Sequence, residues 1–186
     1  MTKKEKIMQS AIRLFCSLGF QNTSTTKITK DAGVGTGTLF LYFKSKDELV
    51  NQLYLEIKKE MQVYHQIFSR PILSFKEQLN AFWVDVVQWG LDNPDKFKFM
   101  MQFKNSPYIS KFTMDEVTED HQFVQNVMMQ AMAEGEIINQ PFDFLMTLFT
   151  SQFSSIIQYL TIEKRTNQEH LIQVSFDVLW NGIKKN

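Results

Sequence analysis

The side chains best suited to chemistry crowd into residues 24–46, and their chemistry is recognition rather than bond making. Ser24-Thr25-Thr26 and Thr36-Gly37-Thr38 supply hydroxyls, Tyr42 a phenol, Lys46 an ammonium group, and Gly35 and Gly37 bare backbone. Lys46 and Thr25 suit phosphate, Tyr42 can donate its hydroxyl to phosphate, and Thr36 with Phe40 can meet base edges and thymine methyl groups. No comparable grouping serves catalysis. Cys16 is the single cysteine and has no His or Cys beside it, so neither a disulfide nor a metal site is expected. His65, His121 and His170 lie far apart, and solvent exposure explains Glu119-Asp120-His121 better than acid–base work does. There is no nucleophile motif, phosphate loop or metal-ligand spacing. Neither an enzyme nor a cofactor nor a bound metal is expected.

Those side chains need a frame, and the local sequence predicts one: a short helix, a glycine turn and a second short helix. Ser24 is a good N-cap, and Ile28 and Ala32, four apart, form one buried stripe. Gly33 can leave the helix with positive φ. Val34 then plugs the corner, and Leu39 and Phe43 give the second helix its inner face. Its outer face is Thr36, Gly37, Phe40, Leu41 and, at one edge, Tyr42. Glycines near the helix start allow close backbone approach, and free N–H groups there favour phosphate. This is a helix-turn-helix pattern. A tight corner inside a helical bundle has the same local grammar.

The residues themselves go further. Ala32-Gly33-Val34-Gly35-Thr36-Gly37-Thr38-Leu39-Phe40-Leu41-Tyr42-Phe43-Lys44-Ser45-Lys46-Asp47-Glu48-Leu49 resembles the signature of the TetR family of bacterial transcriptional regulators, A-G-V-S-x-G-T-x-Y-x-Y-F-x-S-K-x-x-L. The resemblance covers roughly residues 5–55; beyond that it is one of layout. It implies DNA contacts at Thr25, Gly35, Thr36, Gly37, Phe40, Leu41, Tyr42 and Lys46. Three departures stand out. Gly35 replaces the usual Ser or Thr cap, Thr36 stands where Lys or Arg is frequent, and Phe40-Leu41 where Tyr is frequent. With fewer hydrogen-bond donors, apolar contact and DNA shape should carry more of the specificity.

Charge follows the same division. The chain of 186 residues has no net charge, yet residues 1–47 hold eight Lys/Arg against three Asp/Glu, a net of +5, leaving twelve against seventeen, a net of −5, for residues 48–186. A basic module on a mildly acidic body suits a polyanion partner, although charge runs are more often solvated faces. With 44% hydrophobic residues the chain is globular, and seven glycines and four prolines, unclustered, favour an all-helical fold. The amphipathic start predicts no signal peptide, and no run approaches a membrane span, so a cytoplasmic protein is expected.

Helix signals recur along the chain. Thr2-x-x-Glu5, Ser45-x-x-Glu48, Ser74-x-x-Glu77 and Thr113-x-x-Glu116 read as capping boxes. Gly19 should end the first helix, with Phe20 packing just beyond it. The helix opened at Ser45 should reach Arg70-Pro71. Asn93-Pro94, Pro141 and Asn167 open further helices. The expected fold is all-α: a three-helix DNA-binding domain with the helix-turn-helix over residues 1–47, then a six-helix ligand-binding and dimerisation domain over residues 48–186, nine helices that match the TetR layout. In that family the fourth helix transmits ligand binding to the DNA reader.

Ten methionines and seventeen phenylalanines, most after residue 60, are unusual. Phe82, Trp83, Phe97, Met100, Met101, Phe103, Phe123, Met128 and Phe153 can line an adaptable apolar pocket, because methionine repacks easily; a Phe-rich core is the plainer account of any one of them. Phe149, Ile156 and Ile157 in one helix and Phe176, Leu179 and Trp180 in the last exceed a single apolar stripe and call for a second surface. The resemblance supplies that surface as a homodimer, with a pseudopalindromic double-stranded operator. The resulting expectation is a transcriptional repressor released by a small apolar effector. The rival is a helical binding or scaffold protein whose basic module meets a protein partner or DNA non-specifically, and a lipid-metabolite carrier with a vestigial reader is a third.

Overall fold

The computed structural model describes residues 1–70, 72–111, 113, 118–162 and 167–185, the side chains of 118–121 excepted. Among the described residues the fold is all-α, with helices α1 (Lys3–Asn22), α2 (Thr25–Asp31), α3 (Thr36–Phe40), α4 (Lys46–Gln62), α5 (Phe75–Asp92), α6 (Pro94–Phe103), α7 (Thr118–Ala133), α8 (Phe142–Ile162) and α9 (Gln168–Ile183). A 3-10 segment, Val63–Ser69, follows α4 directly. An isolated antiparallel bridge joins Ile137 to Lys184. No described helix is long and apolar enough to cross a membrane.

The helix starts follow local chemistry. The Glu5 N–H donates to Thr2 Oγ1 (3.2 Å) while the Thr2 N–H donates to Glu5 Oε2 (2.8 Å). Ser74 and Glu77 repeat this reciprocal cap at α5, satisfying two otherwise orphaned donors at each helix. At α4 the box is altered: the Glu48 N–H donates to Ser45 Oγ (3.1 Å), but Glu48 Oε2 accepts from Lys44 N–H (2.6 Å), one residue farther back than expected. Glu116 lies outside the described residues, so the box at Thr113 does too.

Two expectations change. The helix opened at Ser45 does not run to Arg70: α4 stops at Gln62, and the chain continues with the tighter i→i+3 bonding of the 3-10 segment. Asn167 occupies the N-cap position of α9, but at φ 92° its side chain makes no capping bond. Gly19 sits at φ 78° and interrupts α1, and Phe20 beyond it is buried as expected.

The chain forms two compact units, one from Met1–Glu60 and Pro94–Val117, the other from Met61–Asn93 and Thr118–Asn186. In the first, Ile7, Ala11 and Phe15 of α1 share a core with Ile28, Leu39, Phe43, Leu49 and Leu53. Helix α6 belongs to this unit, not with the later helices: Phe99 and Phe103 stack on each other (4.6 Å) and lie 6.3 and 6.0 Å from the Phe15 ring. Asn51 fastens the segment after α6 to α4, donating to Tyr108 O (2.9 Å) and accepting from the Ser110 N–H and the Thr113 hydroxyl.

In the second unit α5 packs against both α8 and α9, which also pack on each other. Trp83 is fully buried, stacks on Phe153 (4.1 Å between centroids) and donates its Nε1–H to Ser175 Oγ (3.0 Å). Gly90 lets α5 and α8 approach: a Cβ built there would stand 2.5 Å from Ile157 Cδ1. Gln152 Nε2 completes the arrangement by donating to Ser175 O (2.6 Å).

Candidate nucleic-acid interface

Helix α2 begins with the Ser24 hydroxyl accepting from the Lys27 N–H (3.2 Å). It ends at Gly33, φ 65°, where the Gly33 N–H donates to Lys30 O (3.2 Å) and the Val34 N–H to Thr29 O (3.0 Å). That pair of bonds closes the helix and turns the chain toward α3, a path an L side chain at position 33 resists. Ile28 and Ala32 of α2, with Leu39 and Phe43 from the α3 segment, are all buried, as the four-residue spacings predict. Arg13 staples α1 to α2 through Asp31 (2.6 Å). Hydrogen bonds from Ser10 and then Arg13 hold the Asp31 carboxyl below its usual range.

With one face of α3 fixed inward, the other is bare. Thr36 and Gly37 are exposed, and Phe40, Leu41 and Tyr42 are 52%, 81% and 40% exposed. Gly35 is the N-cap and makes no side-chain cap bond. Thr25 is half-buried in the first turn of α2. Seven of the eight expected contact residues therefore lie at or beside the surface of the α2–α3 corner, bringing hydroxyls, bare backbone and apolar groups together.

Lys46 is placed differently from the phosphate contact expected of it. Its ammonium donates to Phe20 O (2.9 Å) and Thr23 O (3.1 Å) and sits 4.1 Å from the Phe20 ring centroid. Two of its three donors thus close the end of α1, where the last carbonyls attract a cation; Phe20 O also accepts from the Thr23 N–H (3.3 Å). Sequence spacing could not reveal this, since the carbonyls lie 23 and 26 residues away. Among the other basic residues, Lys27 donates to Asn22 O (3.0 Å) and Lys4 pairs with Glu56 (3.0 Å), while Lys3, Lys6, Lys30 and Lys44 are exposed.

Residues 7–53 match the model for bacterial regulatory proteins of the tetR family. Over its whole length the chain is 30% identical to a tetR family transcription regulator from Shewanella sp. PV-4 of known crystal structure, with a TM-score of 0.84 and 100% of both chains covered. The chain belongs to the TetR family. That family consists of DNA-binding, helix-turn-helix regulators of transcription. A TetR family transcription regulator from Marinobacter aquaeolei VT8 shares the fold, with a TM-score of 0.88, 22% identity and coverage of 99% of this chain and 96% of that one. The HTH-type transcriptional regulator YhgD of Bacillus subtilis (strain 168) is 31% identical over 117 residues, 63% of this chain. The chain spans about 60% of the length of such curated relatives.

The residues expected to line a TetR-type ligand pocket separate. Phe97, Met100, Met101 and Phe103 belong to α6 and the first unit, where Phe97 and Phe103 are core. Phe82, Trp83, Phe123, Met128 and Phe153 belong to the second unit. There Phe82 lies 6.1 Å from Phe153, and His65 sits between the rings of Phe82 (5.6 Å) and Phe123 (5.7 Å). None of the nine lines a groove of about 410 Å³ elsewhere in that unit, walled by Phe68, Leu73, Phe75, Val127 and Glu134.

The residues expected at a dimer contact lie mostly inside the protomer. Phe149, Ile157, Phe176, Leu179 and Trp180 are buried within the protomer's own second unit, and Ile156 is half-buried. Phe144, Leu148, Tyr159 and Ile162 of α8, with Val174 and Val178 of α9, carry the exposed apolar face instead. The spacing 144, 148, 159, 162 keeps to one helical face, so the stripe was present in the sequence. Both α8 stripes are apolar, however, and only contacts with α5 and α9 decide which one turns inward.

Cys16 is half-buried with its Sγ 3.6 Å from Asp95 O, and burial pushes its thiol up to about 11, the opposite of an activated nucleophile. Among the described residues no three His, Cys, Asp or Glu side chains group to hold a metal ion.

Proposed function

We propose that this TetR-family chain is a transcriptional repressor, acting in the cytoplasm by binding rather than catalysis. Its homodimer holds a pseudopalindromic double-stranded operator through the α2–α3 corner and releases it when a small apolar ligand occupies the body. The observation that carries the reading is the division of the α3 segment: Leu39 and Phe43 are core, while Thr36, Gly37, Phe40, Leu41 and Tyr42 face solvent on a basic unit. An N-terminal reader over residues 1–47 and an effector and dimer region over residues 48–186 is the functional division we assign. Thr25, Gly35 and Tyr42 are the phosphate-side candidates, and Lys46 acts chiefly by holding α1 against the reader.

For the dimer we assign the exposed face of Phe144, Leu148, Tyr159, Val174 and Val178, because a contiguous apolar face on two helices favours a second apolar surface. For the ligand we assign the layer of Phe82, Trp83, Phe123, Met128 and Phe153. The buried Oδ1 of Asn80, one turn before Trp83, accepts no hydrogen bond among the described residues and offers such a ligand a polar anchor. Release requires that the ligand prefer the form with low operator affinity, since equal affinity for both forms shifts nothing.

The test is binding of the purified full chain to the duplex upstream of its own gene and to duplexes enriched from a random library, across a salt series. A preference of about a thousandfold over a scrambled duplex, with a log-log salt slope of several units, is expected. Equal, salt-sensitive binding of every duplex, with nothing enriched, would instead favour the scaffold or non-specific reading. Sedimentation of wild type against Leu148→Glu checks the dimer, which the charge should dissociate.

A further inference from the structure

Gly37 has no intramolecular reason to be glycine. A Cβ built there meets no heavy atom within 4 Å, and its φ lies outside the left-handed region. Alanine would fit the helix better, because glycine there loses more conformational freedom on folding. Its surroundings on the outer face explain the choice. Phe40 and Leu41 follow by three and four residues, so they flank Gly37 on the helix surface, and helical side chains lean back toward the N-terminus. The bare backbone at Gly37 thus leaves a methyl-sized space beside two apolar side chains that both remain exposed, a notch open to solvent.

The chemistry of the corner narrows what can fill the notch. Residues 32–43 contain no charged side chain and no Asn or Gln, so the bidentate pairs that read guanine or adenine are missing. Lys30 before this stretch and Lys44 after it are exposed cations that complement a phosphate backbone on either side. The major-groove edges of the four standard bases offer one apolar group, the thymine 5-methyl. We propose that the Gly37–Phe40–Leu41 notch reads thymine methyl groups, so that discrimination by this protein rests on thymine placement in each half-site more than on hydrogen bonds to base edges. The inference rests on the operator-binding reading above and specifies what that operator must contain.

The experiment uses the full chain and duplexes enriched from a random library. Each thymine in turn is replaced by deoxyuridine, which removes the methyl and keeps the O4 acceptor and the phosphates. Loss of affinity of about fourfold is expected for each contacted methyl, and more when both half-sites are changed. Leu41→Ala, which opens the notch, and Gly37→Ala, which fills it, should bind the thymine and deoxyuridine duplexes alike; both positions are exposed, and thermal unfolding verifies that the variants are folded. If an enriched sequence is bound specifically and every deoxyuridine duplex binds as well as its parent, the notch reading is overturned while the operator reading stands. If no sequence is enriched, the operator reading fails and the notch falls with it.

Discussion

Helix α6 and the α3 segment are both short and rich in aromatic residues, yet they meet opposite fates. Phe97, Phe99 and Phe103 of α6 are buried, and two of those rings pack against Phe15. Phe40, Leu41 and Tyr42 stand in water although Leu39 and Phe43 beside them are core. Exposed apolar side chains gain nothing from folding, so their cluster on the α2–α3 corner suits the covered surface proposed above. Composition alone cannot separate the two cases. What separates them is whether a neighbouring helix reaches the second face: α1 reaches that of α6, whereas α2 covers only one side of α3.

The contrast can be broken most severely at α6. Phe103→Ala should lower stability by about 3–5 kcal/mol, because a large ring leaves a void among Phe15, Phe20 and Phe99. Chemical denaturation measures it, and a loss below about 1 kcal/mol would mean that α6 is not core. Leu41→Ala should do the reverse, weakening operator binding about tenfold in a dimer while leaving the denaturation midpoint within about 0.5 kcal/mol of wild type. A fall in stability with unchanged DNA affinity would show that the corner's apolar residues serve the fold.

Lys46→Met tests the inward placement of a residue whose position in the family motif pointed outward. Losing two hydrogen bonds to carbonyls and a cation over the Phe20 ring should cost about 1–2 kcal/mol, more than removal of an exposed lysine does. Gly37→Ala is expected to raise stability by up to about 1 kcal/mol while binding weakens, the signature of a residue kept for recognition. The smallest effect concerns acid. Asp31 is held below its ordinary value of 3.8, so its contribution is fully present at neutral pH and is lost as pH falls from about that value through the lower folded one. Asp31→Asn should flatten the acid limb of the stability curve there and leave the neutral region nearly unchanged. The carboxylate is partly exposed, so added salt should shrink this difference.

Much of the reader was legible because its determinants are local. The Ser24 cap, the Gly33 turn and the pairs Ile28/Ala32 and Leu39/Phe43 each join residues within four positions of one another, and each appears in the fold as its chemistry requires. The same holds for the reciprocal caps at Thr2 and Ser74. The body was less legible. Nine aromatic and methionine residues that look alike in sequence divide between two compact units, and six apolar residues that suggested a subunit contact mostly close the protomer's own core.

What the sequence determined by itself is therefore the all-helical character of the chain, the capped starts of α1, α2 and α5, the helix-turn-helix and the chemical character of its outer face. These follow from capping, glycine φ and the 3.6-residue repeat, all settled within a turn or two of chain. Only the tertiary structure decided that α6 joins α1, that Lys46 turns inward to Phe20 and Thr23, and that Phe149 and Ile157 face inward while Phe144 and Leu148 face out. A helix with two apolar stripes has no local means of choosing between them, and the choice falls to whichever distant helix packs against it.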